Sequence, residues 1–466
     1  ISNVYTSGVI FTTSISSGGV VGDNYGKVEN CYSTTKLTIL EDLSYSYSNV
    51  VSYNGRGGSV ENCYYIGDYK IDTVAGVENK TAEQFANGEV CYLLNGKNSD
   101  GELIWGQDLG TEKYPVFRGK TVYATTGCVT YNNDGNQSEA EHNYVDGKCS
   151  NCNEYEAPEI IDEVYQISRA SDLYWFADKV NNENETYKSA KAVLTNDIVI
   201  NKNVLKDDGT LNEGDFKVWI PIGGVANGYS GVFDGAEHII SGLYVNNTEL
   251  SYVGLFGDIE TDGKVSNVGV IDSYIAGKEY IGGICGDIGS GSVTNCYNTG
   301  TITGSTRVGG ICGTDYGSVT NCYNTGTITG DGYVGGICGY IQADTLVNCV
   351  NYGEIKEASN KAGGLTGYGY GDYQVLNCIN AGKVINGGGI IGQAAGGMSA
   401  AALKGRMANC VNLGEVSGTG HSIVMTTTHT TLIRNYSIDN GLSAGTIPFT
   451  VLTDEQLKSE KLAKEL

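Results

Sequence analysis

Hydrophobic positions along the chain fall into short runs that return at a nearly constant interval. The block GGICG begins at Gly282, Gly309 and Gly335, so one unit has 27 residues (309 minus 282) and the next has 26 (335 minus 309). Each unit holds three apolar runs, GGICG, SVTNCYN and TIT, separated by Gly, Asn, Asp or Ser. Short runs with β-branched side chains between turn formers are typical of strands. A repeat of this length is typical of solenoids, propellers and arrays.

Three strands and three bends are long enough to close one coil, because a strand rises ~3.3 Å per residue. Stacked coils would pair each strand in parallel with its copy ~4.8 Å away. One position of each run is apolar in every copy, as a continuous core requires. These three columns are Leu255, Ile284, Ile311, Ile337, Leu365 and Ile390; Val265, Val293, Val319, Leu346, Val375 and Met407; and Ile302, Ile328, Ile355, Val384 and Val416. The sequence therefore predicts an all-β fold, a parallel β-helix or β-solenoid.

An asparagine occupies one position of the second run in every copy. An Asn amide both donates and accepts, so amides stacked at one coil spacing can bond along the column and satisfy a bend. We therefore predict a structural ladder rather than a ligand-binding row. Its members are Asn267, Asn295, Asn321, Asn348, Asn377 and Asn409, with Asn30 and Asn62 near the start of the chain.

Cysteines form two further columns. One follows the asparagine, at 31, 63, 296, 322, 349, 378 and 410, and the other comprises Cys285, Cys312 and Cys338. Phe256, Thr366 and Ile391 replace the second set in other copies, which indicates a space-filling role. Free Cys behaves as a small buried hydrophobe. We expect stacked, reduced thiols, and disulfides between coils are the alternative, although in-register side chains give a poor dihedral angle.

The order of these patterns predicts five segments. Residues 1–80 contain weaker copies of the same repeat motifs and are interpreted as the C-terminal end of a preceding solenoid. Residues 81–120 contain a capping helix and connector, residues 121–156 a small Cys/His linker, and residues 157–450 the main solenoid with its own N-terminal capping helix. In that helix Leu173, Phe176, Ala177 and Val180 form an i, i+3, i+4, i+7 stripe, and Ser168 or Ser171 can cap it. Residues 451–466 are predicted to begin the next capping helix.

Two capping boxes suggest that large modules recur in tandem. Thr81 is followed by Gln84, and Thr453 by Gln456, so the same signal returns after 372 residues (453 minus 81). The chain begins at Ile1 without Met and is expected to be part of a longer tandem array. Each helix is predicted to cover an open solenoid end, where unpaired strand edges invite aggregation.

Four residues form the one metal-ligand pattern in the chain. Cys128, His142, Cys149 and Cys152 follow the spacing C-x13-H-x6-C-x2-C, and three thiolates with one imidazole suit tetrahedral zinc. The intervening residues are too polar to fold without a cross-link such as a metal ion or a disulfide. Four such ligands leave no open position, so zinc here would be structural. A Cys149–Cys152 or Cys128–Cys149 disulfide, or unpaired thiols, remain alternatives.

Charge and composition restrict the function. The chain has 466 residues and a formal net charge of −24, which argues against nucleic acid and anionic membranes as partners. No apolar run reaches the roughly 18 residues of a membrane span. The 68 glycines and only 4 prolines suit many tight turns.

The repeated blocks VGLFG, GGICG, GGLTG and GGIIG, each followed by an Asn-Cys or related run, resemble the GLUG motif. That motif occurs in large surface proteins of Gram-positive gut bacteria and in immunoglobulin-A-cleaving metallopeptidases. The resemblance covers residues 250–420 closely and 1–65 loosely. It implies a right-handed parallel β-helix in a secreted or wall-attached, adhesin-like bacterial protein. The peptidase activity does not carry over, because no HExxH surrounds any of the four histidines.

Three functions compete on this sequence. The first is a non-catalytic adhesin or stalk at the cell surface or secreted, with host or microbial glycans or matrix proteins as partners, supported by tandem modularity, acidity and 33 tyrosines. The alternative is a carbohydrate-active β-helix enzyme (a polysaccharide lyase or glycosidase), which needs facing carboxylates; Asp287 and Asp315 lie near one register. Ice binding is discarded, because the Thr-Ile-Thr rank stops after two coils.

Overall fold

The computed structural model describes residues 1–12, 16–39, 46–67, 74–97, 103–224, 227–342, 344–357, 361–395, 405–417, 421, 424–428, 430–433, 435–438 and 450–452. The chain divides into two compact units, Ile1–Glu154 and Tyr155–Leu466. The helix predicted over 451–466 falls mostly outside the described residues, and Thr450–Leu452 form a strand. No helix within the described ranges is long and apolar enough to cross a membrane.

The first unit begins with parallel strands that have the register predicted for coils. The Tyr5–Thr12 strand pairs with Lys27–Ile39, and Lys27–Ile39 pairs with Ser59–Tyr65, so that Cys31 lies opposite Cys63. The other strands here are Ser16–Gly18, Val21–Asn24, Ser46–Ser48, Val51–Asn54 and Val77–Asn79. Their small core of Val, Cys and Tyr side chains is separate from the core of the residues that follow.

Two short helices follow, α1 (Ala82–Ala86) and α2 (Glu89–Leu94). The capping box predicted at Thr81 is confirmed: the Gln84 N–H donates to Thr81 Oγ1 at 3.1 Å, and the Thr81 N–H donates to Gln84 Oε1 at 2.9 Å. Phe85, Val90, Trp105 and Val122 pack in one buried cluster. Short strand pairs complete the unit: Trp105–Gly106 with Val116–Phe117, Tyr123–Ala124 with Tyr131–Asn132, Thr126–Gly127 with Glu139–Ala140, and Tyr144–Val145 with Lys148–Cys149.

The second unit is a parallel β-solenoid, as predicted, but each regular coil has four strands rather than three. The run predicted as one strand, SVTNCYN, is divided at its asparagine. Asn295 has φ 55°, in the left-handed region, and therefore turns the chain between the strands Ser292–Thr294 and Tyr297–Asn298. Asn tolerates this conformation better than most residues, which explains why it recurs at the corner.

Each strand stacks on its copies to form four walls, numbered in chain order. Wall 1 contains Ile160–Ile161, Val164–Ile167, Lys191–Leu194, Val232–Asp234, Lys264–Ser266, Ser292–Thr294, Ser318–Thr320, Thr345–Val347, Gln374–Leu376, Gly405–Ala408 and Thr430–Ile433. Wall 2 contains Ile198–Val199, Ile239–Ser241, Gly269–Ile271, Tyr297–Asn298, Tyr323–Asn324, Val350–Asn351, Ile379–Asn380, Val411–Asn412, Tyr436–Ile438 and Thr450–Leu452.

Wall 3 contains Tyr244–Asn246, Tyr274–Ala276, Thr301–Gly309, Ile328–Gly335, Ile355–Glu357, Val384–Ile385 and Val416–Ser417, with Glu279–Ile281, Ala362–Gly363 and Gly387–Gly388 beside them. Wall 4 contains Phe256–Ile259, Cys285–Ile288, Cys312–Asp315, Cys338–Gln342, Thr366–Tyr370, Ile391–Ala395 and Val424–Thr428.

The three predicted apolar columns form the interior of the solenoid, which confirms the core assignment. Ile284, Val293 and Ile302, one from each column, are completely buried. Val416 is the most exposed member of the three columns, at 4%. All belong to a single hydrophobic cluster that runs through the described coils.

The helix predicted near 171–181 is α3 (Ala170–Asn182), followed by the short α4 (Asn184–Tyr187). Its predicted stripe is buried, and it belongs to the same hydrophobic cluster as the first coils. The predicted serine cap is wrong, because Arg169 is the N-cap residue and Asp172 does the capping. The carboxylate of Asp172 accepts hydrogen bonds from the N–H groups of Ser168 at 2.9 Å and Arg169 at 3.2 Å.

Replacing Ile311 by Asp is expected to unfold the solenoid. The side chain is fully buried in the central coils, and an isolated carboxylate there has no partner that could offset its desolvation. Loss of the cooperative thermal transition, followed by circular dichroism, is the measurement. Thr320→Asp on the outer face of the neighbouring strand is the control and should melt close to the wild type. An unchanged melting curve for Ile311→Asp would contradict the core assignment.

Candidate metal centre and polar columns of the solenoid

The four predicted metal ligands come together in the structure of the first unit. The hairpin Tyr144–Val145 with Lys148–Cys149 presents Cys149, and the pairing of Thr126–Gly127 with Glu139–Ala140 brings Cys128 beside it. The Sγ atoms of Cys128 and Cys149 are 3.5 Å apart, and Cys152 Sγ lies 3.4 Å from His142 Nδ1. All four ligand atoms lie within 4.8 Å of one another.

This arrangement fits a tetrahedral zinc ion. Sulfur ligands ~2.3 Å from zinc at tetrahedral angles are about 3.8 Å from one another, close to the observed separation. A disulfide requires sulfur atoms at about 2.05 Å, so the 3.5 Å between Cys128 and Cys149 does not correspond to a bond. Among the described residues this is the one cluster of three or more His, Cys, Asp or Glu ligands close enough to hold a metal.

Neighbouring groups prepare the cluster for a cation. Burial acts to raise the pKa of the Cys149 thiol, but backbone N–H groups of Cys152, Asn151 and Asn143 favour the thiolate and lower the pKa to about 6. His142 points Nδ1 toward Cys152, and its Nε2 lies 3.5 Å from a carboxylate oxygen of Glu154. A carboxylate behind a ligating imidazole is a common second partner in metal sites.

The Cys/His residues are not an isolated linker. Val122 belongs to the buried cluster that contains Phe85 and Trp105, and the Tyr131 and Tyr92 rings are 5.7 Å apart. Asn153 Nδ2 also donates to Glu83 Oε1 at 3.3 Å. The predicted boundary at 121 therefore crosses a shared core.

The predicted asparagines form a continuous outer row at the corner between walls 1 and 2. Each Nδ2 donates to the Oδ1 of the copy before it: Asn295 to Asn267 at 2.9 Å, Asn321 to Asn295 at 3.1 Å, Asn348 to Asn321 at 3.1 Å, Asn377 to Asn348 at 3.3 Å and Asn409 to Asn377 at 3.0 Å. In the first unit Asn62 donates to Asn30 at 3.2 Å. All eight have φ between 50° and 55°.

A second asparagine column, which the sequence reasoning missed, lies inside wall 2. Asn298, Asn324, Asn351, Asn380 and Asn412 have no exposed surface. Each of the first four donates to the next one's Oδ1, at 2.8 to 2.9 Å. Each of the first four amides also bonds both backbone groups of the glycine two residues later, and Asn412 donates to the Gly414 carbonyl. The signal in the sequence is an N-x-G triplet at the same place in five successive units.

The cysteine columns are buried and unbonded to one another. All 14 cysteines, each within the described residues, are free, and those of the solenoid have at most 1% exposure. Burial raises the pKa of Cys285 and Cys312 well above the usual value. Neutral thiols of this kind fill space, as predicted.

A polar cluster on wall 4 does not follow the repeat. Its floor is Asp258, Asp287 and Thr314, which are register partners on three successive coils, and its cover is Tyr252, Tyr280 and Arg307. We call these six residues the Asp–Arg cluster. The Tyr252 and Tyr280 rings stack at 4.3 Å, and the Arg307 guanidinium lies 4.6 Å from the Tyr280 ring centroid.

Burial dominates the electrostatics of the floor. It raises the pKa of Asp287 to about 7, with a contribution from Asp258, and the pKa of Asp258 to about 6, with a contribution from Glu260. Four buried atoms of the cluster have no hydrogen-bond partner: one carboxylate oxygen each of Asp258 and Asp287, the Thr314 hydroxyl and Arg307 Nε. Buried polar groups are normally paired, so these four need an explanation.

The sequence placed Asp315 beside Asp287, and this is wrong. Asp315 is the register partner of Ile288 and Ile341 and lies completely buried with the core side chains. Burial raises its pKa well above the ordinary value. The carboxylate that faces the same side as Asp287 is Asp258.

Residues 277–303 and 304–329 match the model of the GLUG motif. The chain carries GLUG repeats. A 153-residue stretch, 32% of the chain, is 30% identical to halomucin of Haloquadratum walsbyi, and a 57-residue stretch, 12% of the chain, is 40% identical to a protein named as a Gly-rich membrane protein of Evansella cellulosilytica. These matches span 2% and 7% of the relatives' lengths. No solved structure matches the chain.

The geometry explains the last glycine of the GGICG block. A Cβ on Gly286 would lie 2.6 Å from the Tyr252 Cα, and one on Gly313 would lie 2.6 Å from the Tyr280 carbonyl carbon. The segments that carry the cover of the Asp–Arg cluster therefore cross directly over wall 4, and only glycine leaves room for them.

The purified chain is expected to hold one zinc ion, because the four ligand atoms already converge. Elemental analysis should give one zinc per wild-type chain and much less for Cys149→Ser. Cys322→Ser, a buried thiol of the solenoid, is the matched control and should keep its zinc. A chelator should speed proteolysis within 126–154 while residues 191–395 stay protected. A zinc-free wild type whose cleavage ignores the chelator would contradict this centre.

The inner asparagine column should matter more for stability than the outer one. Asn351→Ala removes an amide with four buried hydrogen bonds and leaves their partners unsatisfied, at a cost of about 3 kcal/mol. Asn348→Gly removes an exposed amide and keeps the left-handed corner accessible, so it should cost about 1 kcal/mol or less. Denaturant unfolding measures both. Equal losses would refute the difference between the two columns.

Proposed function

We propose that this chain is a non-catalytic binding or stalk module of a bacterial protein that is secreted or attached to the cell surface. The observation that carries the proposal is the solenoid of the described coils, whose interior is filled by side chains and whose outer faces are free to vary from coil to coil. The similarity to halomucin and to a Gly-rich membrane protein supports a surface location. The net charge of −24 suits a soluble, exposed surface.

The partners proposed are host or microbial glycans or matrix proteins. Outward tyrosines support this proposal through their ring edges and hydroxyls rather than through their ring faces. Tyr297 and Tyr323 stack on each other at 4.7 Å and 4°, so each covers a face of the other and leaves edges and hydroxyls for a partner. Exposed rings such as Tyr352, at 59%, add an apolar edge with a polar tip.

The Cys/His centre is proposed as a structural zinc site. Its ligands are four and leave no position for a substrate. Its role would be to fold a stretch whose side chains are too polar to form a core of their own.

One observation favours the enzyme alternative. Asp258 and Asp287 are neighbours on adjacent coils, and burial raises the pKa of both, as it does for catalytic acids. Against it, the guanidinium of Arg307 is held over the Tyr280 ring, and one carboxylate oxygen of each aspartate is buried. We therefore place binding before catalysis.

The test applies the complete 466-residue chain to immobilised glycans and matrix proteins, and records both retention and released product. Retention without release is expected. Tyr352→Ser, which removes one exposed ring of the proposed binding surface, should weaken retention and leave the fold intact. Release of reducing ends that stops in Asp287→Asn would show an enzyme instead. Absence of both retention and release would leave the spacer role and remove the adhesin role.

A further inference from the structure

The Asp–Arg cluster differs from the columns around it in how its side chains pair with one another. In most columns of the solenoid, in-register side chains satisfy one another: amides bond amides, aliphatic groups fill the core and rings stack. The buried Asp315 is another exception, with one carboxylate oxygen that has no hydrogen-bond partner. In the Asp–Arg cluster two carboxyl groups are register partners, and no lysine or arginine of the described residues forms an ion pair with either. Four buried polar atoms consequently remain without partners.

The third floor residue points to a ligand independently of the acids. Thr314 has no exposed surface, and its Oγ1 lacks a hydrogen-bond partner. It is the register partner of Asp287 on one side and Tyr340 on the other, so its hydroxyl faces the same outer side as the carboxylates. A valine would fill this place without leaving a buried hydroxyl unsatisfied.

The cover lies on a left-handed corner that recurs along the solenoid. Tyr252, Tyr280 and Arg307 have φ of 61°, 60° and 55°, and Tyr333 and Asn386 at the same corner of later coils have φ of 53° and 59°. Bulky residues are uncommon in this region, and such strain costs of order 1–3 kcal/mol per residue. Glycine would adopt the same backbone without strain. Residues kept in this conformation place large polar side chains over the floor.

We propose that the Asp–Arg cluster binds a neutral, hydroxyl-rich glycan, an inference that rests on the binding role proposed above. The unpartnered atoms include two acceptors, one donor and one hydroxyl that can do either. A metal cation would satisfy the carboxylates and leave the Arg307 donor unpaired. An anion would satisfy Arg307 and be repelled by two carboxylates. Sugar hydroxyls both donate and accept, so they complement the whole set.

Entry of the glycan requires the cover to move, and the structure has a weak point for this. The nearest carboxylate to Arg307 is that of Glu279, at 3.8 Å, which is too long for a hydrogen bond. The guanidinium is otherwise held by the rings of Tyr280, at 4.6 Å, and Tyr340, at 5.5 Å. Displacing it would make the unpartnered Nε donor of Arg307 available to a ligand. Floor residues repeat every ~4.8 Å along the solenoid, about the length of one pyranose unit, so a chain could lie along the axis.

The binding experiment is calorimetric titration of the complete chain with cellohexaose, maltohexaose and chitohexaose. At least one is expected to bind. Thr314→Val, Asp287→Asn and Arg307→Lys should each weaken that affinity about tenfold or more, as expected when a buried partner of a ligand hydroxyl is lost. Thr320→Val, on the outer face of wall 1 in the same coil, is the matched control and should bind like the wild type.

Thermal unfolding separates binding from folding. Because Thr314 Oγ1 has no partner without ligand, Thr314→Val should melt at or above the wild-type temperature while its affinity falls. If the wild type binds and the three variants bind equally well, the cluster is not the site and the proposed binding function stands. If no hexasaccharide binds, the inference fails, while the matrix-protein assay still decides the proposed function. Tyrosine-sensitised terbium luminescence that is lost in Asp287→Asn would assign a cation and overturn the glycan.

Discussion

In-register stacking is the constraint on which this structure depends. Each strand lies ~4.8 Å from its copy, so every side chain of the solenoid meets the residue at the same place in the coils before and after it. A residue type is therefore tolerated in proportion to how well it packs on itself. Aliphatic groups, thiols, amides and rings pass this test, whereas like charges do not. The composition of the columns follows from this rule rather than from any preference of single residues.

Asparagine stacks on its own copies at two places in the coil, by different interactions. At the outer corner it supplies the left-handed conformation of the bend and a row of exposed amides. Inside wall 2 it satisfies two backbone groups of a tight turn that would otherwise be buried without partners, and it joins neighbouring turns through the remaining donor and acceptor. The inner bonds lie away from water, where competition from solvent is absent and an unpaired group is costly. They consequently contribute more to the specificity of the coil stacking.

The periodic features could be predicted from the sequence, because a column appears as a recurring residue type. The apolar columns, the outer asparagines and the buried thiols all have such a signal, whereas the convergence of Cys128 with Cys149 was indicated by metal-ligand spacing. The number of walls could not, since the corner at Asn295 depends on φ, and an apolar run with an asparagine in it resembles one strand. The inner asparagines were equally periodic, but an Asn two residues before Gly resembles a simple surface turn.

Non-periodic features were harder, and Asp315 shows why. A one-residue displacement in a strand moves a side chain to the opposite face. The register predicted from the sequence therefore placed Asp315 on the outer face of wall 4, whereas it lies in the interior. The same uncertainty in register concealed that Asp258 and Asp287 are register partners, because they lie 29 residues apart (287 minus 258) in a repeat that is locally longer. In a fold built from stacked copies, a side chain that does not pack on its copy in the next coil is not stabilised by the stacking. Two stacked carboxyl groups and an orphaned hydroxyl at one place on wall 4 belong to such side chains, and ligand binding is the function that we propose for them.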